Sequence, residues 1–161
     1  MLDIEQMRNY CCYECTALDD MNTSSRFTVG IHILTLLAYG GGEAVTSEYI
    51  AGSVNTNPVV IRRLLSLLRA AKLVTSQGGP GGGWQLARPA RGITLRDVYI
   101  ATEGSTLFPM HPNAPNPRCP VGSTIQLALS GHLEDARHAL EHRLGRTTIA
   151  DLVQEVKTQP R

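Results

Sequence analysis

The sequence predicts a mainly α (α+β) fold in which a winged helix-turn-helix unit precedes a long amphipathic helix. Three features indicate it: two short helices joined by a tight connection, a glycine-rich stretch between β-prone segments, and a regular apolar repeat near the C-terminus. We expect the winged unit in residues 21–103, a proline-rich loop in 104–120, and the long dimerisation helix with a final short helix in 121–157. Residues 1–20 are expected to form a disordered N-terminal extension.

Three cysteines of this extension, Cys11, Cys12 and Cys15, form a Cys-Cys-x-x-Cys pattern. A metal or redox site would need further ligands at a suitable spacing, and no second cysteine pair or His-x-x-x-His follows nearby. We therefore favour a disordered leader over a metal site.

The composition is that of an ordinary globular protein, with 42% hydrophobic and 18% charged residues in a chain of 161. No apolar run approaches the ~20 residues that span a bilayer, and the N-terminus lacks the regions of a signal peptide. A cytoplasmic location with reduced thiols is therefore expected. Residues 21–92 carry seven basic and two acidic side chains, a local net charge of +5, which favours a polyanionic partner.

The first predicted helix covers Ser25 to Tyr39 and ends at three consecutive glycines. His32, beside its apolar stripe, is interpreted as a surface or boundary residue rather than a ligand. The segment from Glu43 to Val45 is expected to form a short first strand. The residues expected to be buried in this helix are Phe27, Gly30, Ile31, Leu34, Leu37 and Ala38.

Two short helices then follow in close succession. The first is predicted from Ser47 to Val54 with Thr46 as its N-cap, and the second begins at Asn57 and Pro58, an N-cap residue followed by a proline suited to the first helical position. The buried stripe of the second helix is predicted to be Ile61, Leu64, Leu65 and Leu68. The outward residues are predicted to be Arg62, Arg63, Ser66 and Arg69. This is the helix-turn-helix arrangement, with a basic outer face on the second helix.

A hairpin is predicted after the second helix. Leu73–Thr75 and Trp84–Leu86 are β-prone, and the stretch between them holds five glycines around a proline, which cannot lie inside a helix or strand. The alternatives are a plain flexible turn and a phosphate-binding loop. The P-loop spacing and its Lys-Ser/Thr are missing, so we interpret the hairpin as a wing.

The remaining chain is predicted to be helical on both sides of a loop. Thr94 caps a helix from Leu95 to Glu103, and the loop that follows contains His111 and Cys119. From Val121 to Leu144 apolar residues recur every three or four positions, at Ile125, Leu129, Leu133, Ala136, Leu140 and Leu144. A stripe of this length without an equally long partner in the chain suggests a homodimer; the alternative is packing along its own winged unit. Thr147 or Thr148 caps a final helix ending near Val156.

Over roughly Arg26 to Val156 the chain resembles the Rrf2 family of bacterial transcription regulators. The resemblance rests on the wing G-P-G-G-G-W-Q-L-A-R, the I-T-L-R-D-V after it, the proline-rich loop with a cysteine, and the long helix. It implies a homodimer that binds a palindromic operator in double-stranded DNA, often as a repressor. The T-S-E-Y-I-A-x-S-V-N-T-N-P-V-V-I-R-R-L pattern is most similar to a subgroup without the iron–sulfur cysteine triad.

The loop before the long helix departs from the cluster-binding members of the family, which carry three cysteines there. Here the loop has only Cys119, and one thiolate does not satisfy a cluster that needs about four ligands. We therefore expect no cofactor and no metal. Two interpretations of Cys119 stay open: a regulatory thiol, whose thiolate the dipole at the start of the long helix would favour, and a structural cysteine.

The second helix of the pair is expected to lie in the major groove, where Arg62 and Arg63 would reach base edges such as guanine O6 and N7. Ser47, Thr56 and Asn57 would contact phosphates. Relatives often carry an arginine just before the Gly-Pro-Gly-Gly of the wing; Gly78 stands there in this chain, which leaves Gln77 and Arg88 as substitutes. The expected DNA-binding residues are Ser47, Thr56, Asn57, Val59, Arg62, Arg63, Gln77, Gly79, Gly81 and Arg88.

An enzyme is the competing class, and the sequence gives it little support, because paired carboxylates and metal-spaced histidines are missing. His132, His138 and His142 are interpreted as surface residues of the long helix. Two further alternatives stay open: a protein-interaction module that has lost DNA binding, and a regulator that senses a small-molecule effector without a redox role.

Overall fold

The computed structural model describes residues 25–79, 81–104 and 108–159. The expectations for residues 1–20, with Cys11, Cys12 and Cys15, lie outside these ranges. The elements in chain order are α1 (Arg26–Tyr39), α2 (Ser47–Val54), α3 (Pro58–Ala70), β1 (Val74–Gln77), β2 (Gly83–Leu86), a 3₁₀ turn (Ala90–Gly92), α4 (Leu95–Glu103), α5 (Ile125–Leu144) and α6 (Ile149–Thr158). The mainly α winged helix-turn-helix fold is therefore confirmed.

The core lies where α1, α3, α4 and α6 meet. All four apolar residues predicted for the α3 stripe are buried. In α1, Gly30, Leu34 and Leu37 are buried as predicted, whereas Phe27, Ile31 and Ala38 pack at the edge of the core. Ile33 is also fully buried, although the sequence pattern did not predict it. The reason is that α1 packs against α4 on one side and against α6 on another.

The connection between α2 and α3 has the predicted local chemistry. The Thr46 hydroxyl accepts a hydrogen bond from the backbone N–H of Tyr49 at 3.2 Å, and the Asn57 side chain accepts one from Val59 at 2.8 Å. Asn55 ends α2 in the left-handed region with φ of 57°. Asparagine tolerates this conformation better than most residues, so the chain reverses within a few residues and brings α3 against α2.

The wing is a two-stranded antiparallel sheet in which Val74 lies opposite Leu86 and Gln77 opposite Gly83. The expected first strand from Glu43 to Val45 was too long, because only Val45 pairs with the sheet. Its N–H and C=O bond to Trp84 at 3.0 and 2.8 Å. A Cβ on Gly83 would lie 2.7 Å from the Val45 oxygen, so this single bridge requires glycine beside it.

The C-terminal helix α6 is joined to the winged unit through its backbone. The N–H of Leu95 donates to Thr147 O, and the N–H of Ile149 donates to Ile93 O, both at 2.9 Å. Thr148 caps α6 in a capping box with Asp151, which decides between the two predicted caps. Ile149 is fully buried, so α6 contributes to the same core as α1.

The long helix begins later than predicted. The sequence pattern placed its start at Val121, but α5 begins at Ile125, and residues 121–124 form turns in which Ser123 N–H donates to Cys119 O at 2.9 Å. None of the helices in the described ranges combines the length and hydropathy that crossing a membrane requires.

Candidate nucleic-acid interface

The outer face of α3 presents a row of exposed side chains at the surface of the winged unit. Val59, Arg62, Arg63 and Ser66 are exposed, and their spacing of three or four residues places them on one side of the helix. The opposite side is the buried stripe, so the core fixes which side faces outward. Val59 is 49% exposed at the start of this row. The row has the size and polarity of a helix face that enters a major groove.

Arg62 is held in place by the first turn of α2. Its Nε donates to Ser47 Oγ at 3.3 Å, and its Nη2 forms an ion pair with the Glu48 carboxylate. The Ser47 hydroxyl in turn donates to Glu48 at 3.2 Å. The pKa of Glu48 is held below its usual range, first by its backbone hydrogen bond and then by the Arg62 and Ser47 side chains. A charged contact on the outer surface thus joins α2 and α3, the two helices of the helix-turn-helix.

This contact gives Ser47 partners that the sequence did not predict. The residue is only 9% exposed, and its hydroxyl is engaged with Arg62 and Glu48. The sequence pattern could not show this, because the three residues lie on two different helices. Ser47 therefore supports Arg62, and its contact with a phosphate stays a prediction.

Thr56 and Asn57 lie at the start of α3, where the helix dipole favours a phosphate. Thr56 is half-buried and its N–H donates to Ala51 O at 3.0 Å. Asn57 is exposed, and its side-chain oxygen is used in the N-cap.

The two other arginines of α3 differ in their surroundings. Arg63 is exposed and makes no ion pair with any residue of the described ranges. The Arg69 guanidinium lies 5.9 Å from the centre of the Trp84 ring in β2. This cation–π contact connects the end of the helix to the wing. It was not predicted, because nothing in the local sequence pairs these two positions.

The loop of the wing is open and uncharged. Gly79 and Gly81 adopt φ of 92° and 75°, values that favour glycine. At the base of the hairpin the Gln85 side-chain amide donates to Gln77 at 3.1 Å. From residue 74 to residue 87 the sequence contains no lysine or arginine. Any contact of the wing with DNA is therefore made by uncharged groups, such as the Gln77 side chain and backbone N–H groups.

Arg88 has an acidic partner that the sequence did not predict. Its guanidinium forms an ion pair with Asp97 at 3.0 Å, and Asp97 also closes the capping box of α4 with Thr94. Arg88 is therefore held at the start of α4, and its contact with DNA stays a prediction. The pairing crosses from a turn to a helix and was not visible in the sequence pattern.

Cys119 is exposed in the loop between α4 and α5. Its backbone N–H donates to Asn116 O at 3.1 Å, and Arg118 N–H donates to the Asn116 side chain at 2.9 Å. Because α5 begins at Ile125 and residues 121–124 form turns, Cys119 lies before the first turn of the helix. Its role as a regulatory thiol stays a prediction.

The junction between α4 and α5 contains a buried carboxylate. Glu141 is 5% exposed and is the buried residue of α5. Arg96 of α4 donates to its Oε2 from Nε at 3.0 Å and from Nη2 at 2.8 Å, and Arg137 pairs with its other oxygen. These arginines, Arg96 first, hold the pKa of Glu141 below its usual range. The Arg137–Glu141 pair could have been found from the sequence, because the two residues are four positions apart on one helix. The contact of Arg96 could not, because Arg96 lies on a different helix.

The apolar stripe of α5 is only partly covered by its own chain. Ile125, Leu129, Leu133, Leu140 and Leu144 are half-buried, and Ala136 is exposed. On a helix, Glu141 lies on a neighbouring face and not at the centre of this stripe. The face that meets α4 is therefore different from the face that carries the apolar repeat.

The histidines occupy surface positions, as interpreted from the sequence. His32 and Ser53 side chains lie 3.0 Å apart at the surface, and His138 contacts Glu134 at 3.0 Å. His132 and His142 are exposed on α5.

Comparison with known proteins gives consistent matches over most of the chain. The profile of the Rrf2 family, described as iron-dependent transcriptional regulators, matches residues 23–155. YwnA of Bacillus subtilis (strain 168), a helix-turn-helix-type transcriptional regulator, is 44% identical over 131 residues, which are 81% of this chain and 96% of YwnA. The family and its members are transcriptional regulators rather than enzymes.

Solved structures show the same similarity. One described as a DNA-binding protein is 40% identical, with a TM-score of 0.64, and the match covers 80% of this chain and 98% of that one. CymR (YrzC), described as the global cysteine regulator of B. subtilis, is 26% identical, with a TM-score of 0.61 and coverage of 82% and 95%.

The Rrf2 family is described as iron-dependent, and the residues that the structure describes do not supply the ligands of an iron–sulfur cluster. Within the described ranges no group of three or more His, Cys, Asp or Glu side chains is arranged to hold a metal. The loop before α5 offers one thiol, Cys119, where a cluster needs about four ligands.

Proposed function

Because the chain belongs to the Rrf2 family of DNA-binding transcriptional regulators, we propose that it acts as a homodimeric repressor that reads a palindromic operator through the outer face of α3. The main support for this proposal is the row of exposed side chains on α3, which consists of Val59, Arg62, Arg63 and Ser66. The row faces outward because the opposite side of the helix is buried in the core. Arginine pairs with guanine in the major groove, and valine can contact a thymine methyl group.

The dimer is supported by the incompletely covered stripe of α5. A second copy would bury these leucines in an isologous contact, and two-fold symmetry would then place two α3 helices against two half-sites. Each protomer contributes a local charge of +5 from residues 21–92, so a dimer presents twice that charge to DNA. Repression would result where the operator overlaps a promoter, because the bound dimer would then block polymerase.

Selection from random-sequence DNA tests this function. We expect enrichment of a palindromic sequence, and binding of one dimer per site by mass measurement in solution. Arg146→Ala serves as a control, since it removes an exposed arginine outside the winged unit and should leave the selected sequence unchanged. A protein that enriches no sequence would contradict the proposal.

We further propose that oxidation of Cys119 controls this binding. The thiol is exposed in the loop that connects α4 to the long helix, so a modified sulfur would lie between the reading unit and the proposed dimer contact. Operator affinity should fall after peroxide or hypochlorite treatment of the wild type and should not change for Cys119→Ser. An equal response of both proteins would contradict thiol control.

One observation favours control by a small molecule instead. An open groove of about 820 Å³ runs between α1 and α6, lined by Ile31, Leu36 and Leu152 together with Thr35 and Lys157. The Thr35 hydroxyl is buried there and has no hydrogen-bond partner among the described residues. Thermal-shift screening with small metabolites, comparing the wild type with Thr35→Val, tests this candidate.

A protein-interaction module without DNA binding is the remaining candidate, and the uncharged wing is the feature that favours it.

A further inference from the structure

We propose that Glu48 is a specificity-determining residue, because it holds Arg62 in the orientation that reads a guanine and keeps it from binding phosphates of any sequence. This inference rests on the proposed function. It concerns a residue of α2 that does not itself reach a base.

The geometry of the guanidinium carries the first step. Ser47 and Glu48 engage Nε and Nη2, which lie along one edge of the planar group. No hydrogen bond within the described ranges uses Nη1 of Arg62, so the edge formed by Nη1 and the second N–H of Nη2 is free. Two parallel N–H groups on that edge match the O6 and N7 acceptors of guanine. The contact with α2 therefore leaves free the edge that bidentate reading requires.

The charge of Glu48 carries the second step. Only Glu43 and Glu48 are acidic within residues 21–92, and a carboxylate near phosphates weakens binding to all DNA. An arginine without a partner can turn to a phosphate on any sequence, because its side chain is long and flexible. Glu48 offers Arg62 a fixed carboxylate instead. The result is lower affinity for unrelated DNA and less rotamer entropy to lose at a guanine.

The contact contributes little to folding. The side chains of Arg62 and Glu48 are 56% and 60% exposed, and ion pairs this exposed stabilise a protein only weakly. Substitution of Glu48 should therefore leave the fold intact, so changes in DNA binding can be measured on a folded protein.

The test compares Glu48→Gln with Glu43→Gln, which removes the same charge from an exposed position without a contact to Arg62. The operator base pair read by Arg62 is first identified as the one whose preference disappears in Arg62→Ala. In Glu48→Gln the preference at that pair should fall by about fivefold or more, on the scale of one bidentate base contact. Binding to unrelated DNA should strengthen, with a salt dependence steeper by about one phosphate contact. Glu43→Gln should strengthen binding to operator and unrelated DNA equally.

A double variant shows whether Glu48 acts through Arg62. Glu48→Gln combined with Arg62→Ala should discriminate between sequences as Arg62→Ala does alone. An unchanged preference in Glu48→Gln, or a further loss in the double variant, would overturn the inference while leaving the proposed function in place. A wild type that selects no sequence would contradict the proposed function, and the inference with it.

Discussion

Glu141 of α5 accepts two hydrogen bonds from the guanidinium of Arg96 of α4, at 3.0 and 2.8 Å, although 45 positions separate the two residues in the chain. The helix α4 follows the wing directly, and α5 carries the stripe proposed to join two copies. This ion pair therefore sets how the long helix is oriented on the unit that reads DNA. Two N–H groups of one guanidinium on the same carboxylate oxygen, Oε2, form charge-assisted hydrogen bonds, which are directional in a way that apolar packing is not.

Substitution of Glu141 should destabilise the protein. Glu141→Gln removes the charge while leaving two arginines beside a buried amide, so the urea concentration at half-unfolding should fall. Asp135→Asn is the matched control, because it neutralises an exposed acid of the same helix. Equal midpoints for Glu141→Gln and the wild type would show that the cluster does not stabilise the fold.

The same carboxylate should make stability depend on acid pH. The pKa of Glu141 is depressed in the folded protein, first by Arg96, relative to about 4.3 in an unfolded chain. Its contribution is therefore present above the unfolded value and lost as the pH falls through the folded one. Urea unfolding between about pH 6 and pH 3 should show a smaller acid loss in Glu141→Gln than in the wild type. Parallel pH profiles would contradict this.

Removal of the α6 cap should weaken the winged unit itself. Thr148→Ala breaks the capping box with Asp151 and should cost about 1 kcal/mol of unfolding free energy. Thr147→Ala is the control, because the one hydrogen bond of the Thr147 side chain among the described residues is an exposed contact with Arg143 at 3.4 Å. Chemical unfolding should show the larger loss of stability for Thr148→Ala, and the reverse ranking would contradict the structure.

A charge in the stripe of α5 should separate the proposed dimer. Leu133→Lys places an ammonium group among half-buried leucines that a second copy would cover, so the variant should have the mass of one chain in solution. Asp135→Lys introduces the same side chain on an exposed face of α5 outside the stripe and should remain dimeric. A dimeric Leu133→Lys would exclude this stripe as the interface.

Local signals in the sequence predicted the start of most helices correctly. Asn57 and Pro58 fixed the start of α3, and Thr94 fixed that of α4, because capping acts between neighbouring residues. The start of α5 was missed because it was placed at the apolar Val121, whereas the residues that follow it, Gly122, Ser123 and Thr124, are poor helix formers and lie in turns. Periodicity therefore predicted where helices lie more reliably than where they begin.

Contacts between distant residues could not be predicted in the same way. Arg88 and Ser47 were predicted to contact DNA, and that prediction did not include the partners they have in the structure, Asp97 for Arg88 and Arg62 for Ser47. Periodicity shows which side of a helix is buried, but it does not show which polar group of another element lies against it. The candidate site was therefore predicted as a helix face, and its supporting contacts were found only in the structure.

The operator affinity of Arg62→Ala tests directly whether the outer face of α3 reads DNA bases. If Arg62 reads a base, the variant should lose about 1–3 kcal/mol of binding free energy, roughly 5- to 150-fold in affinity, and the preference at one base pair. Arg146→Ala should bind the selected operator like the wild type. Unchanged affinity and unchanged sequence preference in Arg62→Ala would contradict base reading by Arg62.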